Sequence, residues 1–398
     1  MPWRESSPMS ERLEFVKACL DRTEHIIRIC DRFGISEKTG QKWLRRFREG
    51  GPQALADRSH APLNHAGRIT PEVAERIIAL RRRYPLYGPE KLRDWLVLHE
   101  PRSSDERWPA VSSIGELLRR SGLIARSRRR HLSIEQAALD STRTRALEPN
   151  MVWTADFKGE FRLRQNLGTY CYPLTVLDLN THYLLGCSAL EGTDVAGTRK
   201  IFVRLFREYG LPSVLRTDNG VPFAQPNALG RLGRLGFWWV RLGIRPEHIT
   251  PGRPSENGAH ERFHKTLKAS TTRPSARTLS AQQQRFDHFR SEYNNERPHM
   301  SLPAHVPPAR VYSSSQRVYP SRLPSVVYPD NTVVRLVQDN GVIKWKNREI
   351  FVSTNLAGEY VGFMNEQDDA ISISYGRLQL GIFDYQKDRF IPKVRWNG

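Results

Sequence analysis

No stretch of this 398-residue chain approaches the roughly eighteen consecutive apolar residues that cross a bilayer, so no membrane is expected. The opening MPWRESSPMSERLEF has no apolar core of a secretory leader, and a cytoplasmic, nucleoid-associated protein is expected. Cysteine is scarce. Cys19, Cys30, Cys171 and Cys187 form no C-x-x-C pair, which argues against a zinc ribbon and a disulfide framework. Cys19, His25 and Cys30 lie near one another, but the apolar periodicity around them reads as core packing rather than metal ligation. No internal repeat appears at solenoid spacing. Acidic residues are in deficit, 42 Asp+Glu against 62 Lys+Arg, for a net charge of +20. Arginine's planar fork suits phosphate, so this balance points to a nucleic-acid binder; the plainer reading is a highly charged soluble protein.

Four regions separate by punctuation. Residues 10–58 read as a helix-turn-helix. ERLEFVKACLDR places Leu13, Val16 and Leu20 at helical spacing, Gly34 sits where a tight inter-helix turn belongs, and Ser36 caps a basic helix. That helix carries Lys38, Thr39, Gln41, Lys42, Arg45 and Arg46 toward a major groove. A plain helical bundle shares the pattern; the basic second helix favours DNA. After a Gly/Pro linker, residues 69–132 read as a second helical or winged-helix DNA-binding domain, with Pro71 and Pro89 in the first turns of two helices. It ends in a basic run containing Arg128, Arg129 and Arg130, either a solvated linker or, favoured behind a helix-turn-helix, a phosphate-contacting arm.

Residues 148–300 read as an α/β unit. Three β-like runs (MVWTADFKG, YPLTVLDLN, HYLLGCSAL) precede alternating helix and strand, which predicts a mixed sheet. Trp238 and Trp239 are expected in its core. Residues 325–393 hold short strands and a D-N-G turn at 339–341, and a small β-barrel is expected.

Within the α/β unit three acids stand out. Asp156 interrupts an apolar strand, where a carboxylate is costly unless paired or metal-bound. Asp218 ends the run VLRTDNG, where the plain reading is a turn residue bonding its own backbone. Glu261 lies in the first turns of the helix NGAHERFHKTLKAS, where the plain reading is an exposed pair with Lys265. Acids from two strands and a helix that converge on one sheet edge repel one another unless cations neutralise them. All-oxygen ligands suit Mg²⁺ or Mn²⁺. Two such ions can clamp the attacking and leaving oxygens of a phosphoryl displacement.

WTADFKG, RTDNGVPF and PGRPSENGAHERFHKTLK, in that order behind a DNA-binding region, resemble the three signatures of the DDE transposases of bacterial insertion sequences, whose core is RNase H-like. The resemblance covers about residues 148–300 and implies a catalytic and metal-binding triad of Asp156, Asp218 and Glu261. It also implies two Mg²⁺ (or Mn²⁺) ions, cleavage of a DNA strand at an element's end, and strand transfer of the freed 3′-OH to target DNA. The implied partners are the terminal inverted repeats, target DNA and further copies of the chain on paired ends. Two departures stand. Residues 219–260 make the spacing between Asp218 and Glu261 longer than is usual in the family, and Glu256 is a rival third ligand; a helix-borne Glu261 is favoured because a helix holds a ligand more firmly than a loop. Lys158, Arg253, His264, Lys265 and Lys268 are read as phosphate contacts or ordinary surface charge. Asn295, Arg297, Pro298 and His299 brace the core or touch DNA, and Asp178 is read as a turn residue. The rival functions are an RNase H-like nuclease that does not join, and a transposase-derived DNA-binding regulator. RNA binding is disfavoured because a helix-turn-helix suits a B-form major groove.

Overall fold

The computed structural model describes residues 7–57, 69–102, 107–124, 143–165, 168–250, 258–367 and 369–397. The chain divides into two compact units, Met1–Arg68 and Ile69–Gly398.

In the first unit, helices α1 (Pro8–Leu20), α2 (Ile26–Arg32) and α3 (Glu37–Gly50) surround one small core of Phe15, Val16, Ile29, Cys30, Trp43 and Leu44. Ser7 and Ser10 form a capping box at α1, and Ser36 accepts from the Thr39 N–H at 3.3 Å to open α3. Cys30 lies in the apolar core with Cys19 packed against it, so both are core side chains as their periodicity predicts. The helices meet closely at Gly40, where an added Cβ would lie 2.5 Å from Cys30 Sγ and 2.8 Å from Phe15 Cζ.

The second unit begins with α4 (Pro71–Arg83), α5 (Pro89–His99) and α6 (Val111–Arg120). Pro71 and Pro89 open the first two, where a missing N–H costs nothing. The three helices bury Ile77, Leu80, Leu92, Leu96, Ile114 and Leu118 together. Among the described residues of this segment every element is a helix and none is a strand.

The central region is a mixed sheet built from β1 (Val152–Phe157), β2 (Phe161–Arg162), β3 (Tyr170–Asp178), β4 (Leu184–Leu190), β5 (Val214–Thr217) and β6 (Arg245–His248). Its order is β4-β3-β1-β5-β6, with the short β2 against the start of β3. β3 is antiparallel to β1 and β4, while β1, β5 and β6 run parallel. Helices α7 (Val195–Tyr209) and α8 (Arg234–Arg241) cover one face, where Trp153, Val176, Leu215, Phe202, Phe206 and Trp239 pack. Helices α9 (Gly258–Thr271) and α10 (Leu279–Asn295) cover the other, where Leu177, Leu184, Phe263, Leu267, Phe286 and Phe289 pack. Trp238 and Trp239 are both buried, as their apolar context predicts.

Two contacts explain segments with no assigned chemistry. Asp178 is fully buried and accepts from Asn150 N–H (2.7 Å), Thr181 N–H (2.8 Å) and Thr181 Oγ1 (2.7 Å), which makes it a structural turn residue. The stretch after α10 braces the core. Arg297 lies over the Tyr87 ring, Glu296 accepts from Tyr84, and His299 stacks on His182.

The C-terminal region differs from the expected barrel. Strands β7 (Val333–Leu336), β10 (Tyr360–Gln367), β11 (Ala370–Tyr375), β12 (Leu378–Asp384) and β13 (Arg389–Trp396) form one open antiparallel sheet in the order β13-β12-β11-β10-β7. A separate ribbon joins β8 (Val342–Trp345) to β9 (Arg348–Phe351). The edge strands β7 and β13 pair with one partner each and stay largely exposed, so the sheet does not close on itself. Asp339-Asn340-Gly341 makes a turn, but the strand before it pairs with β10; the local hairpin turns instead at Lys346-Asn347. Phe237 and Val240, on the side of α8 turned from the central sheet, pack into this region's core.

Substituting Gly40→Ala is expected to destabilise the first unit by about 1–3 kcal/mol through overpacking. Hydrogen exchange checks this: amides of α1–α3 should exchange faster while those of β1, β3 and β5 stay unchanged.

Candidate functional site

Strand β1 alternates. Trp153 and Ala155 face the α7/α8 core, while Thr154 and Asp156 face α9. The parallel pairing of β1 with β5 matches Ala155 with Thr217. One step further along both chains come Asp156 and Asp218, so the two residues occupy equivalent backbone positions, Asp156 within β1 and Asp218 just past the carboxyl end of β5. That end of a parallel pair is where α/β folds place their sites.

Asp218 sits in a tight turn. Asn219 ties it to the chain beyond β6 through an Nδ2 bond to the Ile249 carbonyl at 2.7 Å. A Cβ at Gly220 would lie 2.9 Å from Asp218 Oδ2, so a side chain there would make the carboxylate shift. Burial pushes the Asp218 carboxyl up from its ordinary value, opposed by the Gly220 N–H. Asp218 Oδ1 is buried with no hydrogen-bond partner among the described residues. A carboxylate oxygen shut from water without a donor is expensive, and a cation would remove the cost.

Helix α9 splits its functional residues between two faces. Glu261, Lys265 and Lys268, at i, i+4 and i+7, share an exposed stripe. His260 and His264 lie about a quarter-turn round from that stripe, on the buried face. His264, expected to reach phosphate, is therefore corrected to an interior residue. Its Nδ1 lies 3.8 Å from Asp156 Oδ2 and its Nε2 lies 2.8 Å from Thr175 Oγ1. Burial holds its pKa down to about 2, helped by His260 and Lys158, and burial alone holds His260 down to about 3. Both imidazoles are neutral at neutral pH. Lys158 is half-buried just past β1.

Asp156, His260 and His264 bring ligand atoms within 4.8 Å of one another. Asp218 and Glu261 are not in this group. The sequence signal for the histidines was available: His260-Glu261-Arg262-Phe263-His264 has H-E-x-x-H spacing, which puts two imidazoles on one helical face. Here both Nε2 atoms converge at 2.8 Å on the Thr175 hydroxyl, which stands where a zinc ion would stand in a zinc protease. His260 Nδ1 is also engaged, 3.1 Å from Thr154 Oγ1. No zinc-protease centre forms. Arg253 and Glu256, and likewise Arg128, Arg129 and Arg130, lie outside the described residues.

In the first unit, Lys38, Gln41, Lys42 and Arg45 line an exposed face of α3, opposite the buried Gly40, Trp43 and Leu44. Thr39 is half-buried, 2.9 Å from Ser36 Oγ, and Arg46 lies over the Trp43 ring at 4.9 Å. The exposed face has the phosphate-binding and base-reaching side chains of a recognition helix.

Comparison with known proteins agrees with this layout. Integrase core domain profiles match residues 146–254 and 242–307, a Helix-turn-helix domain matches 11–62, and a Homeodomain-like domain matches 39–118. Helix-turn-helix domains ahead of an integrase core are the architecture of the DDE transposases and integrases, and this chain has it. More particularly, a third of the chain is related to retroviral Pol proteins. It is 26% identical over 135 residues to the Pol polyprotein of feline endogenous virus ECE1, covering 34% of this chain and 12% of that protein. It is 28% identical over 132 residues to the Gag-Pol polyprotein of baboon endogenous virus (strain M7), covering 33% and 7%. The chain thus spans only a small part of these relatives' length. Among solved structures, the HTLV-2 integrase catalytic core domain in complex with magnesium is similar at TM-score 0.30 and 16% identity, over 42% of this chain and 99% of that one. The simian T-cell lymphotropic virus intasome with the PP2A regulatory subunit B56 gamma is similar at TM-score 0.33 and 17% identity, over 59% and 80%. No helix among the described residues is long and apolar enough to cross a membrane.

The two buried histidines make the core acid-labile. Their pKa values fall on folding, so below the unfolded value of about 6.5 the unfolded chain binds more protons than the native one. Their contribution is intact above about pH 6.5 and is lost as pH falls toward about 3, by up to about 1.4 kcal/mol per pH unit for each histidine. Urea unfolding between pH 7.5 and 4.5 checks this, and a His260→Gln variant should show a shallower slope than the wild type.

Proposed function

We propose that this protein is a transposase that binds the terminal inverted repeats of an insertion sequence and catalyses DNA strand cleavage and strand transfer. The observation that supports the reading is that Asp156 and Asp218 each follow the last paired residues of adjacent parallel strands, Ala155 and Thr217, and that Asp218 has a buried oxygen with no hydrogen-bond partner among the described residues. The donor set fits a hard divalent cation. Asp156, Asp218 and Glu261 would hold Mg²⁺ or Mn²⁺, two ions in all. Bound there, the ions would activate water and stabilise the leaving oxygen in phosphodiester displacement.

The protein's own groups have separable duties. The carboxylates act as fixed ligands and not as nucleophiles, so no covalent protein–DNA intermediate is expected. Asn219 and Gly220 hold the turn that aims Asp218. Glu261 stands on a helix anchored by Phe263 and Leu267, which are buried in the core. Lys265 and Lys268, on the same stripe as Glu261, would contact backbone phosphate beside the reacting strand, as would Lys158; Arg253 is assigned the same role from its sequence context. In the first unit the exposed face of α3 would enter the major groove of the terminal repeat. Joining two ends in concert calls for more than one copy of the chain on paired DNA.

The test uses the full chain and a labelled duplex carrying the element's end, with Mg²⁺, Mn²⁺ or EDTA. Wild type should cleave and join only with metal. Asp156→Asn, Asp218→Asn and Glu261→Gln should each lose at least about a hundredfold, consistent with several kcal/mol of transition-state stabilisation. Glu256→Gln should keep activity, and its loss there with Glu261→Gln intact would move the third ligand. Cleavage without joining would replace the proposal by a nuclease. Tight end binding without cleavage under either metal would replace it by a regulator.

A further inference from the structure

The Thr175 hydroxyl decides the protonation of two rings at once. Its oxygen meets three groups: the Asp156 carbonyl at 3.0 Å, His260 Nε2 at 2.8 Å and His264 Nε2 at 2.8 Å. A hydroxyl owns one proton and two acceptor lone pairs. The carbonyl brings no proton, so the hydroxyl donates to it. Both imidazoles must then donate through Nε2–H into the remaining lone pairs. Both rings are shut from water, and a neutral ring that donates through Nε2–H leaves its Nδ1 as a bare lone pair. His260 Nδ1 accepts from Thr154 Oγ1. His264 Nδ1 faces Asp156 Oδ2 at 3.8 Å, beyond hydrogen-bond reach.

Two electron-rich atoms that face each other at this distance repel unless a positive centre lies between them. The 3.8 Å separation is within the span of about 4.2 Å that two ligands, each about 2.1 Å from one ion, can bridge. A neutral imidazole whose far nitrogen is pinned by a hydrogen bond is the arrangement that metal-ligating histidines use. His264 is also largely shielded, with 8% of its side chain exposed, so solvent does not compete freely for Nδ1.

We propose that His264, through Nδ1, is a ligand of the cation held by Asp156, and that Thr175 orients it for that role. The inference rests on the reading of Asp156 as a metal ligand. Its consequence is metal preference. Imidazole is a softer donor than carboxylate and favours transition-metal ions over Mg²⁺. A site of carboxylates plus one imidazole should therefore bind Mn²⁺ more tightly than Mg²⁺.

The test measures metal binding to the full chain without DNA, by calorimetry for Mn²⁺ and by competition for Mg²⁺. His264→Gln keeps a donor near the Nε2 position but loses Nδ1, and should weaken Mn²⁺ binding by about ten- to a hundredfold. His264→Asn places an amide oxygen near the Nδ1 position; it should retain binding while the Mn²⁺ over Mg²⁺ preference falls toward unity. Thr175→Val, which frees the ring, should weaken Mn²⁺ binding by a smaller factor. Spin-echo modulation of bound Mn²⁺ in the wild type should show a directly bonded ¹⁴N, a readout that does not depend on any variant folding. Absence of that coupling, with Mn²⁺ binding lost in Asp156→Asn but unchanged in His264→Gln, would overturn the proposal and leave the metal site standing. A water bridging the two atoms would give that result. Mn²⁺ binding unchanged in Asp156→Asn would overturn the metal reading of Asp156 itself.

Discussion

Strand β1 is paired on both edges, antiparallel to β3 and parallel to β5, and that double pairing decides which layer each of its side chains meets. Trp153 and Ala155 are held against the α7/α8 core, so Thr154 and Asp156 must face α9. A shift of one residue would bury Asp156 among Phe202 and Trp239 and expose Trp153 to α9. The register with β5 then sets the height of Asp218 relative to Asp156. The backbone heights of Asp156 and Asp218 are thus set by the sheet's hydrogen bonds, while the Asn219-Gly220 turn aims the second carboxylate.

The same face explains why α9 can carry opposite chemistries. Its inner side meets Thr154 and Thr175, and there the histidines are dry, neutral and hydrogen-bonded. Its outer side carries Glu261, Lys265 and Lys268 in solvent. Phe263 and Leu267, on the buried side beside the histidines, anchor the helix and leave it little freedom to roll. Thr175 lies on β3 opposite Asp156, so one hydroxyl links the backbone of the acid-bearing strand to both histidines.

The helical module of α4–α6 is held to this core by polar as well as apolar contacts. Glu296 accepts from Tyr84, Glu292 lies 3.3 Å from the Tyr87 hydroxyl, and Arg297 covers the Tyr87 ring. Burial raises the pKa of both tyrosines and of Glu292, which keeps the tyrosine protons available for these bonds. The Pro-containing stretch after α10 therefore works as a brace. His299, stacked on His182 and held neutral by burial, belongs to it. In a chain with a net charge of +20, such satisfied acids and neutral histidines leave the surplus charge to exposed faces such as that of α3.

Local pattern and composition were enough for several features. The capping serine, the helical spacing of α3 and the basic residues on its outer face are all written within one short window, because a helix repeats every few residues. The apolar runs of β1, β3, β4 and β5 and the costly acid in β1 were legible for the same reason. The excess of arginine pointed to nucleic acid without any fold. What the tertiary structure alone decided was pairing between distant segments. Whether β7 and β13 close a barrel depends on hydrogen bonds between strands far apart in sequence, and they stay open. His264 looked like a surface cation because its neighbours Lys265 and Lys268 are charged. The buried Phe263 and Leu267 turn that side of α9 inward, and what His264 meets there, Thr175 on β3, 89 residues away, is written in no local pattern.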